Sequence, residues 1–270
     1  MIYLQLLLRR AVLATVLTLV SGLVLADSIR LATSTSTYNS GLLDYLLIHY
    51  AKVSDTEVQI ISVGTGKALK MGENGDVDLV MTHAPVAEAR FIDQGFGIEP
   101  HSVMYNDFVL VGPKEDAANV SGAQTVTQGL SLIAASNQRF ISRGDDSGTH
   151  KKELQLWQHL GALPAFDGYL ESGRGMGDSL HMASEMGAYT LSDRGTWLAL
   201  KDKLELNLVL EGDPRLLNLY QVMLVNPKRH RHVNIKSARE FAQWMLSSAG
   251  QEAIGKFRIN GEVLFVPSAK

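Results

Sequence analysis

Three loops of this sequence collect hydrogen-bond donors where a strand-like segment gives way to a helix-like one. Residues 33–37 are five consecutive hydroxyl side chains, residues 62–67 place Thr65 between two glycines, and residues 143–150 combine Arg143 with two hydroxyls and two glycines. A helix N-terminus has unpaired N–H groups and the positive end of the helix dipole, so such loops favour anions. Helix capping explains the first loop equally well, because Ser, Thr and Asp are preferred N-cap residues.

The third loop has the most informative set of side chains. Arg143 provides a permanent charge and a planar fork of donors. Ser147 and Thr149 add hydroxyls, and Gly148 lets the backbone approach a ligand closely. A neighbouring aspartate can cap the helix or pair with Arg143 and orient it. The loop therefore indicates anion binding, and the alternative is a capped helix with an Arg–Asp pair on the surface.

Two nucleotide-binding patterns fail at the glycine loops. A phosphate-binding P-loop over residues 62–67 needs a glycine where Ile61 stands and Ser or Thr where Ala68 stands. The dinucleotide pattern that begins with Gly173 and Gly175 needs its third glycine at Asp178. Neither loop is therefore assigned to a nucleotide.

Catalytic and metal-binding interpretations have weaker support. Ser147 and His150 lie near carboxylates, as in a hydrolase triad, but Ser147 is preceded by Asp145 and Asp146, and a Gly-x-Ser-x-Gly elbow needs a glycine where Asp145 stands. His230 and His232 have a spacing that can hold a metal, although a solvated turn explains them better. We expect no catalytic residue, no metal site and no cofactor, and an exported serine hydrolase using Ser147 with His150 stays as an alternative.

The composition excludes several classes of protein. The chain has 270 residues, 25 basic and 28 acidic side chains, 46% hydrophobic residues and no cysteine. This length suffices for two lobes or one large α/β domain. Disordered, collagen-like and disulfide-scaffold classes do not fit, and zinc held by thiolates is impossible. No run of Lys and Arg dominates any stretch, so no nucleic-acid partner is expected.

The first 26 residues have the pattern of an export signal. Arg9 and Arg10 precede a stretch without charged side chains that ends at Ala26. We expect cleavage before Asp27, because the uncharged stretch is shorter than the ~20 residues that span a bilayer comfortably. The mature protein is then expected in a bacterial periplasm, and an uncleaved N-terminal anchor is the alternative.

The mature chain alternates short apolar segments with amphipathic ones, which predicts an α/β protein with parallel sheets and right-handed crossovers. Residues 104–113 and 218–227 are two extended β-rich segments that each end in proline. If both are hinge strands, residues 27–109 and 221–270 form one lobe and residues 110–220 form the other. The alternative is that both are ordinary core strands of one domain.

Taken together, these segments resemble the tungstate-binding periplasmic proteins of ABC importers. The similarity covers nearly the whole mature chain in the expected order, which makes it more specific than any single motif. More distantly, the third loop is similar to the anion loop of phosphate-binding periplasmic proteins. The matching segments are residues 33–37, 63–66, 103–108, 142–150, 175–177, 188–195 and 211–214.

The resemblance implies a type II solute-binding fold, in which two α/β lobes joined by two hinge strands close over an oxyanion. It implies an ABC permease in the inner membrane as partner, and we expect a monomer. Family proteins usually have a threonine where Ser34 stands. The implied ligand-binding residues are Ser34, Thr35, Ser36, Thr65, Arg143, Ser147, Gly148 and Thr149.

The donor-rich loops favour a fully deprotonated anion. Phosphate keeps a proton near neutral pH, so a selective site benefits from a carboxylate that accepts it. Where phosphate-binding relatives have that carboxylate, this sequence has His83. Tungstate and molybdate need donors only. We therefore expect a tungstate receptor that also takes molybdate, with a phosphate or sulfate receptor of the same fold as the alternative.

Overall fold

The computed structural model describes residues 27–269. The predicted export signal lies outside these residues. Within them, no helix combines the length and the apolar character that crossing a bilayer requires.

The described chain contains strands and helices in alternation through most of its length. The strands are β1 (Ser28–Ser34), β2 (Glu57–Val63), β3 (Leu79–Thr82), β4 (Gly97–Pro113), β5 (Phe140–Ser142), β6 (Tyr169–Glu171), β7 (Thr190–Asp193), β8 (Leu206–Leu210), β9 (Leu217–Val225), β10 (Arg258–Ile259), β11 (Glu262–Val263) and β12 (Val266–Pro267). The helices are α1 (Thr35–Asn39), α2 (Leu42–Tyr50), α3 (Thr65–Asn74), α4 (Pro85–Asp93), α5 (Val126–Ala135), α6 (Gly148–Gln158), α7 (Met176–Met186), α8 (Arg194–Leu200), α9 (Ile235–Leu246) and α10 (Ser248–Lys256). Single 3₁₀ turns cover Val120–Gly122, Lys201–Lys203 and Pro214–Leu216.

The first lobe is built on a sheet with the strand order β12-β4-β9-β3-β1-β2. Strands β1, β2 and β3 are parallel, with Ser34 opposite Val63 at the carboxyl ends of β1 and β2. All four residues of β3 are buried, as expected for a parallel strand covered on both faces. The loops that follow β1, β2 and β3 therefore lie at one edge of the sheet.

Two long strands connect the lobes. Strand β4 pairs with β9 from Gly97 to Asp107, and from Phe108 to Pro113 it pairs with β7 and β8 of the second lobe. Because β4 takes the chain into the second lobe and β9 brings it back, the two are antiparallel. The sheets are therefore mixed, whereas the sequence predicted parallel ones. In the second lobe β5 pairs in parallel with β6, and the Ile141 amide N–H bonds to the Tyr189 carbonyl beside β7.

The buried apolar side chains change from one lobe to the other along these strands. The first lobe has cores formed by residues 29–104 and 220–265, and the second has cores formed by residues 108–216. The predicted two-lobe α/β fold is confirmed. Along β4 and β9, the buried side chains pass from the core of one lobe to the core of the other a few residues before the predicted boundaries at 109 and 220. The division at those residues stays a prediction.

Candidate functional site

The first loop, residues 33–37, has two kinds of hydroxyl side chain, some buried in the protein and some exposed to solvent. Thr33 Oγ1 donates to the Met81 carbonyl oxygen at 2.8 Å and joins β1 to β3. Ser34 is the N-cap of α1, and its Oγ accepts the Thr37 amide N–H at 3.3 Å. Thr33, Ser34 and Thr37 are buried, and each has a hydrogen-bond partner inside the protein. The exposed hydroxyl residues of the loop are Thr35 and Ser36.

The Ser34 hydroxyl is the centre of a small network. Its Oγ lies 2.6 Å from Thr37 Oγ1 and 3.1 Å from Ser36 Oγ. His83, in the loop after β3, places Nε2 3.2 Å from the same atom. Ser34 is therefore held from several directions, and only 4% of its surface is exposed.

The second loop offers backbone donors with room around them. Gly64 is the N-cap of the ten-residue helix α3, and no side chain caps this helix start. A Cβ added to Gly64 or Gly66 would meet nothing within 4 Å. Thr65 is the first helical residue. Because Val63 pairs with Ser34, this helix start lies beside the first loop.

The third loop turns sharply between β5 and α6. Gly144 and Asp146 have φ values of +60° and +57°. This left-handed region favours glycine and, among the other residues, Asn and Asp. Ser147 is the N-cap of α6, and its Oγ accepts the His150 amide N–H at 3.3 Å. Capping the helix therefore accounts for the Ser147 hydroxyl, as the sequence alone allowed. Gly148 is the first residue of α6, and the first amide N–H groups of a helix have no acceptor within it.

Arg143 is held in place at the side of this loop. Its Nη2 forms an ion pair with Asp145 Oδ2, and the side chain is 17% exposed. Arg143 Nε is buried and has no hydrogen-bond partner within residues 27–269. Asp145 Oδ1 accepts the Ser147 amide N–H at 3.2 Å. Burial alone would raise the pKa of Asp145, but the hydrogen bonds from Ser147 and the charge of Arg143 outweigh it and the pKa is lowered.

The buried carboxylate of Glu153 is hydrogen-bonded to Ser142, the residue that leads from β5 into the third loop. Glu153 Oε2 accepts the Ser142 hydroxyl at 2.7 Å, and Oε1 accepts Tyr169 OH at 2.8 Å and Trp157 Nε1–H at 3.2 Å. Ser142 Oγ in turn accepts the Gly144 amide N–H at 3.2 Å. Burial raises the pKa of Glu153, and these donors oppose that rise. The sequence does not predict these hydrogen bonds to Glu153, because Ser142 and Tyr169 lie on two different strands.

His83, in the loop after β3, lies between the first loop and the third loop. A Cβ added to Gly148 would lie 3.4 Å from His83 Cε1, and His83 also contacts Ser34. Lys152, one turn further along α6, donates to the carbonyl oxygens of Arg215 and Leu217 at 3.0 and 3.2 Å. The N-terminus of α6 is thus fastened beside β9 and faces the first loop.

The residues of the hydrolase and metal alternatives have backbone hydrogen-bond partners in the structure. Ser147 Oγ accepts the His150 backbone amide N–H, and His150 Nδ1 accepts the Asp146 amide N–H at 3.1 Å, so each side chain bonds to the backbone and not to the other side chain. His230 and His232 each place Nε2 2.8 Å from a carbonyl oxygen at the C-terminal end of α3. Among residues 27–269 no group of three or more His, Asp or Glu side chains could hold a metal ion.

Comparisons with known proteins find a domain family and relatives that match most of the chain. A profile of the PBP superfamily domain matches residues 25–249. The tungstate-binding protein TupA of Peptoclostridium acidaminophilum is 46% identical over 246 residues, which are 90% of this chain and 86% of that protein. The structure of the tungstate-binding protein TupA from Desulfovibrio alaskensis G20 is 44% identical with a TM-score of 0.88, covering 91% of this chain and 100% of that one. The structure of the tungstate ABC transporter from Geobacter sulfurreducens is 45% identical with a TM-score of 0.75, covering 86% and 99%.

Proposed function

This chain belongs to the PBP superfamily and to the family of TupA tungstate-binding proteins, and from this membership we propose that it captures tungstate, and also molybdate, for an ABC importer. It is a receptor and not an enzyme, it acts as a monomer in the periplasm after its export signal is removed near Ala26, and it delivers the anion to a permease in the inner membrane. It needs no cofactor, since the anion is its cargo.

The proposed site takes donors from both lobes. The first lobe contributes accessible hydroxyls and the open start of α3, and the second contributes Arg143 and the start of α6. The sequence also predicted Ser34 as a contact, but it is 4% exposed with partners inside the protein, so we propose that it supports these donors. The proposed contacts to the anion are made by Thr35, Ser36, Thr65, Arg143, Ser147, Gly148 and Thr149.

The observation on which this proposal depends is the state of Arg143. One edge of its guanidinium is neutralised by Asp145, while Nε is buried without a partner among the described residues. A buried donor without an acceptor is costly, by about 1–3 kcal/mol, so an anion accepting from that N–H would relieve the penalty. The second lobe would thus grip the anion by a charged donor that is already oriented.

The arrangement favours an anion without a proton of its own. Both carboxylate oxygens of Asp145 are engaged, Oδ2 by Arg143 and Oδ1 by the Ser147 amide. The lowered pKa of Asp145 keeps it ionised and paired at neutral pH. Asp145 thus serves to orient Arg143, and His83 stands where phosphate-binding relatives have the carboxylate that accepts the phosphate proton, whereas tungstate and molybdate bring no such proton.

The number of donors is sufficient for tight binding. Nanomolar affinity requires about 12 kcal/mol. Charge-assisted hydrogen bonds contribute roughly 1.5–3 kcal/mol each, so about four to eight of them reach this value before the cost of closing the lobes. Binding would select the closed arrangement, since only there do both lobes touch the anion.

Titration calorimetry of the mature protein with tungstate, molybdate, sulfate and phosphate tests the proposal. Tungstate and molybdate should bind far more tightly than the other two. Phosphate binding most tightly would replace tungstate by the alternative ligand of the same fold. No heat and no rise in melting temperature with any of the four would refute an oxyanion receptor.

A further inference from the structure

His83 links the anion-facing first loop to both hinge strands. Its Nε2 lies 3.2 Å from Ser34 Oγ, and its Nδ1 lies 3.0 Å from Oδ1 of Asn218 on β9. Asn218 is paired in register with Asn106 on β4. A single imidazole thus connects the loop with the hinge and lies close to Gly148 of the opposite lobe, where an added Cβ would be 3.4 Å from its Cε1.

The hinge determines which nitrogen of His83 bears the proton. Asn218 Nδ2 donates to Asn106 Oδ1 at 2.8 Å and to Tyr220 OH at 3.1 Å, so the other end of the amide, Oδ1, faces His83. A carbonyl oxygen only accepts hydrogen bonds. His83 Nδ1 is therefore the protonated nitrogen, and in the neutral ring Nε2 is an acceptor.

This tautomer determines what the Ser34 hydroxyl does. A hydroxyl has one proton and two lone pairs. Its proton goes to His83 Nε2, and its lone pairs accept the Thr37 amide at 3.3 Å and the Thr37 hydroxyl at 2.6 Å. Ser34 then has no proton for an anion, and the neighbouring Ser36 hydroxyl, 3.1 Å away, keeps its own.

We infer that His83 is a positioning residue of the binding site, which accepts the hydrogen bond of the Ser34 hydroxyl, holds Ser34 as an internal support and thereby leaves the accessible first-loop donors, Thr35 and Ser36, to contact the oxyanion. This inference rests on the proposed function, and it assigns Ser34 a supporting role instead of direct contact with the ligand. His83 itself gives the anion neither a donor nor a charge.

The surroundings of His83 favour the neutral ring. Burial lowers the pKa of His83, and the nearby charge of Lys152 lowers it further. The hydrogen bond to Asn218 and the charge of Asp193 oppose this, but the pKa stays below the ordinary value of histidine. At neutral pH the ring therefore has one proton, as the network requires.

Long-range ¹H–¹⁵N NMR of the imidazole rings tests the tautomer directly. The His83 ring should be neutral with its proton on Nδ1 at neutral pH, in the free protein and in the tungstate complex. A ring protonated on Nε2 alone, or doubly protonated in the complex, would overturn the inference. Because the free protein already gives the answer, this measurement is independent of whether tungstate binds.

Calorimetry with tungstate tests whether His83 acts through Ser34. His83→Leu should weaken binding by about 10-fold, the value of one lost hydrogen bond. His83→Gln can still offer an oxygen to the Ser34 hydroxyl and should stay within about threefold of the parent protein. His101→Leu, at an exposed histidine of β4, is the matched control and should not change the affinity.

A double-mutant cycle completes the test. If His83 acts through Ser34, the variant with both His83→Leu and Ser34→Ala should bind no more weakly than Ser34→Ala alone. Additive losses, or His83→Leu with unchanged affinity, would overturn the inference while leaving the proposed function intact. Should His83→Leu fail to fold, the glutamine variant and the NMR measurement decide. A parent protein that binds no oxyanion refutes the proposed function instead.

Discussion

Replacing Arg143 by alanine is the sharpest test of the proposed site. The side chain is 17% exposed, and Nη2 is paired with Asp145, while Nε has no partner within residues 27–269 and can donate to an anion. Two charge-assisted hydrogen bonds contribute roughly 3–6 kcal/mol together. We therefore expect Arg143→Ala to raise the Kd for tungstate by about 10²–10⁴-fold.

Two companion variants separate charge from geometry. Arg143→Lys retains the charge but lacks the planar fork, so its affinity should lie between those of the parent protein and the alanine variant. Asp145→Asn in the Arg143→Ala background removes the carboxylate left unpaired beside the anion and should recover part of the loss. Arg231→Ala removes the same charge at an exposed position near the far end of α3 and serves as the control.

The assay is titration calorimetry, with displacement of a weaker oxyanion where direct titration saturates. Thermal unfolding without ligand shows whether each variant still folds. A loss below about 10-fold for Arg143→Ala in a folded protein would refute the reasoning, because less than one charge-assisted hydrogen bond would then be involved. An equal loss for Arg231→Ala would show a general charge effect instead.

Three further variants test other parts of the site. Thr65→Val should weaken tungstate binding by about 10-fold in calorimetry, with Tm unchanged, since it removes one hydroxyl donor. Gly144→Ala should lower Tm by at least about 2 °C, because φ is +60° and a Cβ would lie 2.7 Å from Glu171 Cβ. Burial raises the pKa of Glu153, so its stabilising contribution is greatest at low pH and falls as pH rises through the folded pKa. The Tm advantage of the parent protein over Glu153→Gln should therefore grow as pH is lowered from neutrality towards 4.5, the ordinary pKa of glutamate, and a constant difference would contradict this.

Local patterns were enough to predict the loops and the fold class. Hydroxyl, glycine and arginine residues at the ends of apolar segments predicted three strand-to-helix turns, and the structure has α1, α3 and α6 beginning at Thr35, Thr65 and Gly148. Capping preferences and apolar periodicity act over a few residues, so a sequence displays them directly. The two-lobe fold followed from the family resemblance and the paired extended segments. The binding residues themselves stay a prediction.

Contacts between distant segments were beyond such patterns. His83 and Asn218 are 135 residues apart and meet because β3 and β9 are neighbours in the sheet. The antiparallel course of β4 and β9 was missed for the same reason, since it follows from the path of the chain between lobes. Glu153 also gains its partners only when β5 and β6 pair.

The sequence by itself determined which donor types are present and at which turns they stand, because residue type and cap preference are local properties. Only the tertiary structure decided which of those hydroxyls have hydrogen-bond partners inside the protein. Ser34, Thr35 and Ser36 are chemically similar along the chain, but the strand order brings His83, itself bonded to Asn218 on β9, within hydrogen-bond distance of the Ser34 hydroxyl. The direction of a hydrogen bond depends on every partner in its network, and those partners come together only in the folded protein.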